Sequence, residues 1–268
     1  MRNKLGGMLR PSGLRDSDKL EKLEEQLSMA RMIELRDSPI AGQFDYAHMQ
    51  AIHQNIFQDV YAWAGQQRTV DLVKENFDYA PLGEIESLWK DQHTRLMHDA
   101  MLRGITDPAV FADKLAFHWG AVNYAHGFRE GNTRSQTMFF QQLADEAGWE
   151  LDVTMLDPRH PESIRDEFIA ARFHHQSNDF DHAPLAQALS KALTLRDRQL
   201  QLERHPGKDR GSVPHQPARG DDLAAGLATV DLDPNPLGAD IAARYRRYPE
   251  LAPDSAMPAT ITEEGLER

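Results

Sequence analysis

Cysteine is absent from this 268-residue chain, which removes disulfides and thiolate metal ligands from consideration and ties the chain to no oxidising compartment. Long apolar runs are missing as well. No stretch of about 20 apolar residues offers a membrane span, and the opening MRNKLGGMLRPSGLRDSDK lacks the apolar core of a secretory leader. Basic residues are in deficit: 30 Lys and Arg face 42 Asp and Glu, for a formal charge of −12. Such a surface repels phosphate backbones, so no general nucleic-acid partner is expected, and without an apolar span no membrane partner is expected either. No fixed-period repeat occurs. His174-His175 and the scattered His93, His118 and His160 lack the ligand spacing of a zinc site. What the chain does have is 40% hydrophobic content, enough for a sizeable core.

The apolar residues are arranged mostly with helical periodicity. Leu20, Leu23, Leu27, Ala30 and Ile33 predict a helix over 17–35, ahead of Pro39. Met49, Ile52, Ile56, Val60 and Trp63 predict a second from about Asp45, with Gly65 just past its end. Further helices are expected over 82–102, from Asp107-Pro108 to Ala125, over 134–147, over 163–173 and from Pro184 to about Leu202. Between them, the β-branched, alternating Thr69-Val-Asp-Leu-Val73 and the polar Glu75-Asn-Phe-Asp predict a small hairpin over 67–80. Eight of the fifteen prolines fall beyond residue 203, among Gly, Asp and Ala. That composition buries too little apolar surface to offset chain entropy. The expectation is an all-α domain over 1–202 with a β-hairpin, and a poorly ordered tail over 203–268.

Chemistry is concentrated in His126-Gly-Phe-Arg-Glu-Gly-Asn-Thr-Arg134, which lies between two helical patterns. A helix opening near Thr133 leaves its first N–H groups unpaired, and its dipole adds partial positive charge. Anions bind at such ends. Gly131 lets backbone approach closely, Asn132 can donate an amide to a phosphoryl oxygen, and Arg134 offers a fork of donors. Glu130 would repel that phosphate unless it held Mg²⁺ bridging it. A neutral His126 can take a proton from an attacking hydroxyl. Taken singly, each residue has an ordinary reading: Asn132 as a helix cap, Phe128 as core. Their joint order ahead of a helix is what points to phosphate chemistry.

This stretch resembles the signature of the Fic family, His-x-Phe-x-(Asp/Glu)-Gly-Asn-Gly-Arg-x-x-Arg. Gly127 stands where proline is common, Thr133 replaces a glycine, and Thr137 occupies the place of a second arginine. The resemblance extends to Asn3-Lys-Leu-Gly, to Ile52-His-x-x-Ile56-Phe-x-Asp-Val-Tyr-x-Trp-Ala-Gly-x-x-Arg68-Thr-Val70, and to Phe139-Phe-x-x-Leu143-Ala-x-x-Ala147-Gly-Trp-Glu-Leu-Asp152. It therefore covers residues 3 to about 200.

The resemblance implies a Fic-type helical bundle acting as a protein adenylyltransferase, which moves AMP from ATP to a Ser, Thr or Tyr hydroxyl of a target protein. His126 is then the general base and Glu130 the Mg²⁺ ligand. Phe128, Gly131, Asn132, Thr133 and Arg134 form the nucleotide and phosphate site. Thr69, Val70, Asp71, Leu72, Val73 and Lys74 form a flap that pairs with the target by strand addition. Lysine at position 133 would mark the Doc-like kinase branch of the superfamily, and its absence argues against that chemistry. Thr137 leaves nucleotide choice open.

Regulation is read from the tail. Many family members carry (Ser/Thr)-x-x-x-Glu-(Gly/Asn), whose glutamate pairs with the second arginine. Thr260 to Gly265 fits those letters through Glu264, but its arginine is missing and Pro258 lies just ahead, which favours a fortuitous match. A separate small antitoxin-like inhibitor is the other option. A cytoplasmic toxin and an effector delivered into another cell's cytosol both suit the composition. The rival from another class is a non-catalytic binding module.

Overall fold

The structure is a computed structural model that describes residue 4 and residues 16–74, 77–178 and 180–196. Helix α1 (Ser17–Asp37) starts where the Asp16 carboxylate accepts from Lys19 N–H, and it runs slightly beyond the expected end. Helix α2 (Tyr46–Phe57) is capped the same way, by Asp45 on His48 N–H at 2.9 Å. It stops at Phe57, earlier than the apolar spacing predicts. Val60 and Trp63 lie past its end because the chain turns back there, and Gly65 (φ 80°) donates its N–H to His53 Nδ1 of the same helix at 2.8 Å.

The hairpin exists but is shorter than expected. Its strands are β1 (Val73–Lys74) and β2 (Phe77–Asp78), antiparallel with Val73 opposite Asp78. Thr69 to Leu72 precede the ladder, and Phe77-Asp78, expected in the turn, form the second strand. The helix expected over 82–102 is broken into a 3-10 turn, helix α3 (Ile85–His98) and a second 3-10 turn over Ala100–Leu102. Ala100, Met101 and Leu102 all have positive φ. Asp99 holds this bend, accepting from Lys114 Nζ and lying 3.1 Å from His118 Nε2.

Helix α4 (Pro108–Ala125) follows its expected Asp107-Pro108 start, with Asp107 accepting from Ala109 N–H at 2.8 Å. It is apolar on most of its circumference because it is the central rod: Phe111, Leu115, Ala116 and Trp119 are fully buried. Helix α5 (Asn132–Ala147) packs beside it, with Trp119 stacked on Phe140 at 4.6 Å, and ends at Gly148 (φ 92°). Strand β3 (Trp149–Leu151), helix α6 (Arg165–Ser177), helix α7 (Ala183–Ser190) and strand β4 (Leu193–Leu195) complete the bundle.

The helix expected from Pro184 to about Leu202 is thus cut short. Leu193–Leu195 pair antiparallel with Trp149–Leu151, and this ladder overrides the helical propensity of the Leu/Ala run. Among the described residues no helix is long and apolar enough to cross a membrane. The tail over 203–268, Glu264 included, lies outside the described residues.

Candidate active site

The nine-residue stretch leaves the C-terminus of α4, forms the loop over 126–131 and enters the first turn of α5, so the two buried helices fix its ends. His126 caps α4 in the left-handed region (φ 40°, ψ 54°), a conformation sparsely populated by residues with a Cβ. Several contacts hold it there. Arg68 Nε donates to the His126 carbonyl at 2.9 Å, and the imidazole stacks on Tyr79 with centroids 3.7 Å apart. Nδ1 lies 3.2 Å from the Asn123 carbonyl, which can only accept, so the hydrogen sits on Nδ1 and the lone pair on Nε2.

Gly131 begins α5 in the left-handed region (φ 78°). A Cβ there would also stand 2.2 Å from the ring of Phe57, which is fully buried, so both backbone and packing require glycine. By helix geometry the first-turn amides of Asn132, Thr133 and Arg134 have no partner within the helix. Just ahead of them, a carboxylate oxygen of Glu130 receives the Gly131 N–H at 3.0 Å. Asn132 is 5% exposed and holds the loop shut. Its Oδ1 accepts from Phe128 N–H at 2.9 Å, and its Nδ2 donates to the Phe128 carbonyl at 2.6 Å.

Three departures from the family signature can be placed in local contacts. A Cβ on Gly127 would lie 2.6 Å from the Tyr46 hydroxyl, so Tyr46, itself stacked on Trp89, fills the space a proline ring would need. Thr133 and Thr137 are linked: Thr137 Oγ1 donates to the Thr133 carbonyl at 2.9 Å, which ties its hydroxyl to the helix backbone. Thr133 lies within the helix, where a β-branched residue is tolerated.

Three residues outside the loop position it. His53 is fully buried and stacks on Phe128 at 3.9 Å. Its Nδ1 accepts from Gly65, so Nε2 donates to the Glu130 carbonyl at 3.0 Å. Burial pushes its pKa down to about 4, so it is a neutral brace at physiological pH. Arg68, also buried, ties three segments together through the carbonyls of His126, Val70 and Ala80, while its own N–H donates to Gly127 O. Tyr79 follows β2 directly, so the ring stacked on His126 is attached to the hairpin. These links hold the hairpin beside the imidazole.

The structure therefore brings His126, Glu130, Gly131, Asn132 and Thr133 to one loop mouth, with the hairpin alongside. The ring of Phe128 is in the core, 2% exposed. Arg134 faces α1: Nη1 donates to Ser28 Oγ at 2.8 Å, Nη2 to Glu24, and the guanidinium lies over Phe57 at 4.7 Å. Glu24 also accepts from the Tyr61 hydroxyl. Of the flap residues, Thr69, Val70 and Asp71 are exposed, and Asp71 is tied back to Leu82 N–H at 2.9 Å. Sequence reasoning did not assign roles to His53, Arg68, Tyr79 or Asn123. His53 and Arg68 lie within the long Ile52–Val70 block that resembles the family, but nothing in their spacing showed what they would touch.

Comparisons with known proteins point to one family. A model of the Fic/DOC family matches residues 43–144. The protein adenylyltransferase VbhT of Bartonella schoenbuchensis is 40% identical over 147 residues, which is 55% of this chain and 30% of that protein. The chain thus spans less than a third of VbhT. The probable protein adenylyltransferase y4lH of Sinorhizobium fredii is 34% identical over 182 residues, covering 66% of this chain and 86% of that protein. Among solved structures, the BepC effector of Bartonella tribocorum with bound AMPPNP superposes with a TM-score of 0.62 at 21% identity, over 74% of this chain and 93% of that one. At that identity the likeness speaks for the fold.

Proposed function

Because the chain belongs to the Fic/DOC family, we propose that it is a protein adenylyltransferase that moves AMP from ATP to a Ser, Thr or Tyr hydroxyl of another protein. One observation carries this reading: an imidazole with its lone pair on Nε2 is fixed beside the N-terminal turn of α5, whose first amides lack helix partners, and next to a two-stranded edge.

The chemistry follows from that arrangement. ATP places its phosphates against the first-turn amides of α5, where Gly131 permits the approach and Asn132 keeps the loop in shape. Arg134 belongs to the same turn, but its guanidinium faces α1, paired with Glu24 and lying over Phe57. A target segment adds along the hairpin and extends the short β1–β2 ladder, which sets its hydroxyl next to His126. Nε2 takes the hydroxyl proton as the oxygen attacks the α-phosphorus. The new O–P bond forms as the bond to the bridging oxygen breaks, and pyrophosphate leaves. Positioning and charge neutralisation dominate such a reaction.

Glu130 is exposed at the mouth, with one oxygen on Gly131 N–H. Among the described residues no group of three or more His, Asp or Glu forms a protein-made metal cage. A single carboxylate at the mouth suits Mg²⁺, which is commonly held by one or two carboxylates together with the phosphates it accompanies. When bound, the ion supplies charge neutralisation to those phosphates.

The test uses ATP labelled at the α or the γ position, incubated with this protein and candidate target proteins. Transfer of the α label alone, reduced about 10²- to 10⁴-fold in His126→Ala, is the expected result. An α label that persists at the wild-type level in His126→Ala contradicts the role given to the histidine. Absence of any α label from the wild-type protein contradicts the activity.

A further inference from the structure

The family signature ends in an arginine that this chain lacks, and the structure shows what surrounds the gap. Thr137 is 5% exposed, its hydroxyl is bonded to the Thr133 carbonyl, and it brings no charge to the turn. Arg134 is neutralised by Glu24. The first turn of α5 would then hold a polyphosphate with little free positive charge from the signature itself.

Another guanidinium reaches that turn from a different helix. Arg172 on α6 donates through Nη1 to Thr133 Oγ1 at 3.0 Å, 39 residues away in sequence. Nε and Nη2 both donate to Asn123 Oδ1, a neutral acceptor that aims the fork without cancelling its charge. The group lies over the ring of Phe168 at 5.3 Å, which fixes its plane. No carboxylate among the described residues lies within ion-pair distance of it. Burial lowers its pKa to about 10, which still leaves it charged at neutral pH. A half-buried cation without an anion is costly unless an anion arrives, and the position it touches is the second residue of α5, in the turn whose amides have no helix partner.

We infer that Arg172 is a nucleotide-binding residue: it supplies to the phosphates of ATP, from α6, the cation that the signature loses at Thr137. This rests on the nucleotide reading of the site given above. The same contacts explain why Thr133 is acceptable where glycine is usual, since its hydroxyl helps hold the incoming fork. Asn123 gains a double task, with its carbonyl orienting the His126 ring and its side chain orienting Arg172.

The test measures equilibrium binding of the magnesium complex of α,β-methylene ATP, which cannot undergo transfer, to the full chain by titration calorimetry. Binding is therefore read independently of adenylyltransfer. Arg172→Ala is expected to weaken binding on the order of 10- to 100-fold, the usual range for a charge-assisted hydrogen bond. Arg172→Lys should recover only part of this, because an ammonium cannot keep the fork. Asn123→Asp leaves Arg172 in place but pairs it with a carboxylate, and it should weaken binding in the same direction with the circular-dichroism spectrum and melting cooperativity retained. Wild-type affinity in Arg172→Ala, or in a folded Asn123→Asp, overturns the inference. So does a wild-type chain that shows no saturable binding. If binding falls as expected while the wild-type chain transfers no α label, the inference stands and the activity assigned to the site fails.

Discussion

Asn132 separates two accounts of the loop. If its amide only touches phosphate, replacing it should leave the nucleotide-free protein as stable as before. In the structure the amide instead exchanges two hydrogen bonds with the backbone of Phe128, and the side chain is 5% exposed. Asn132→Ala removes both bonds and leaves the Phe128 N–H and C=O without these partners. Stranding buried groups costs roughly 1–3 kcal/mol each, so about 2–4 kcal/mol is expected for the pair once partial rehydration is allowed for. At roughly 2–4 °C per kcal/mol for a domain of this size, the melting temperature without nucleotide should fall by about 4–16 °C. Differential scanning calorimetry without nucleotide measures it directly. Asn132→Asp keeps the acceptor for Phe128 N–H but sets an oxygen against its carbonyl, so it should also lose stability. A melting temperature within about 1 °C of wild type for Asn132→Ala, where the scale above predicts several degrees, would refute the claim that this residue shapes the loop.

Gly131→Ala combines a left-handed backbone, costing roughly 1–2 kcal/mol, with a Cβ driven into Phe57, costing roughly 1–3 kcal/mol. Urea denaturation should show the loss, with partial recovery in the double variant that also carries Phe57→Leu. Acid should destabilise the fold earlier than carboxylate titration alone would. Burial depresses His53 and His175 to about 4 and lowers His48 and His118 as well. The unfolded state thus binds more protons between pH 6.5 and 4, and stability, full above about 6.5, declines through that window. His53 alone accounts for on the order of 3 kcal/mol of this. Equal denaturation midpoints at pH 7.5 and pH 5 would contradict it.

Much of the scaffold was legible because its signals are local. The Asp107-Pro108 start, the helix beginning at about Asp45 and the stop at Gly148 all appear where the local pattern sets them. Sequence reading failed where tertiary contacts overrule local pattern. The stripe through Val60 and Trp63 continues a helical period, but the chain turns so that Gly65 can meet His53. The Leu/Ala run after Pro184 reads as helix, yet its end is drawn into a ladder with Trp149–Leu151.

The site divides in the same way. The loop from His126 to Arg134 is contiguous and could be read as one unit. Its supports come from α2, the segment before the hairpin, α4 and α6, and only folding brings His53, Arg68, Asn123 and Arg172 to it. The partner of Arg134 was hidden for the same reason: Glu24 lies 110 residues earlier and reads in sequence as one more charge on a solvated helix face.

The central claim is that the first turn of α5 holds the phosphates of ATP beside His126. A crystal structure with magnesium and α,β-methylene ATP tests it most directly. The account expects phosphate oxygens within hydrogen-bonding distance of the first-turn amides, with the α-phosphorus facing the His126 ring. A nucleotide seated elsewhere at saturating concentration, or none bound, contradicts it.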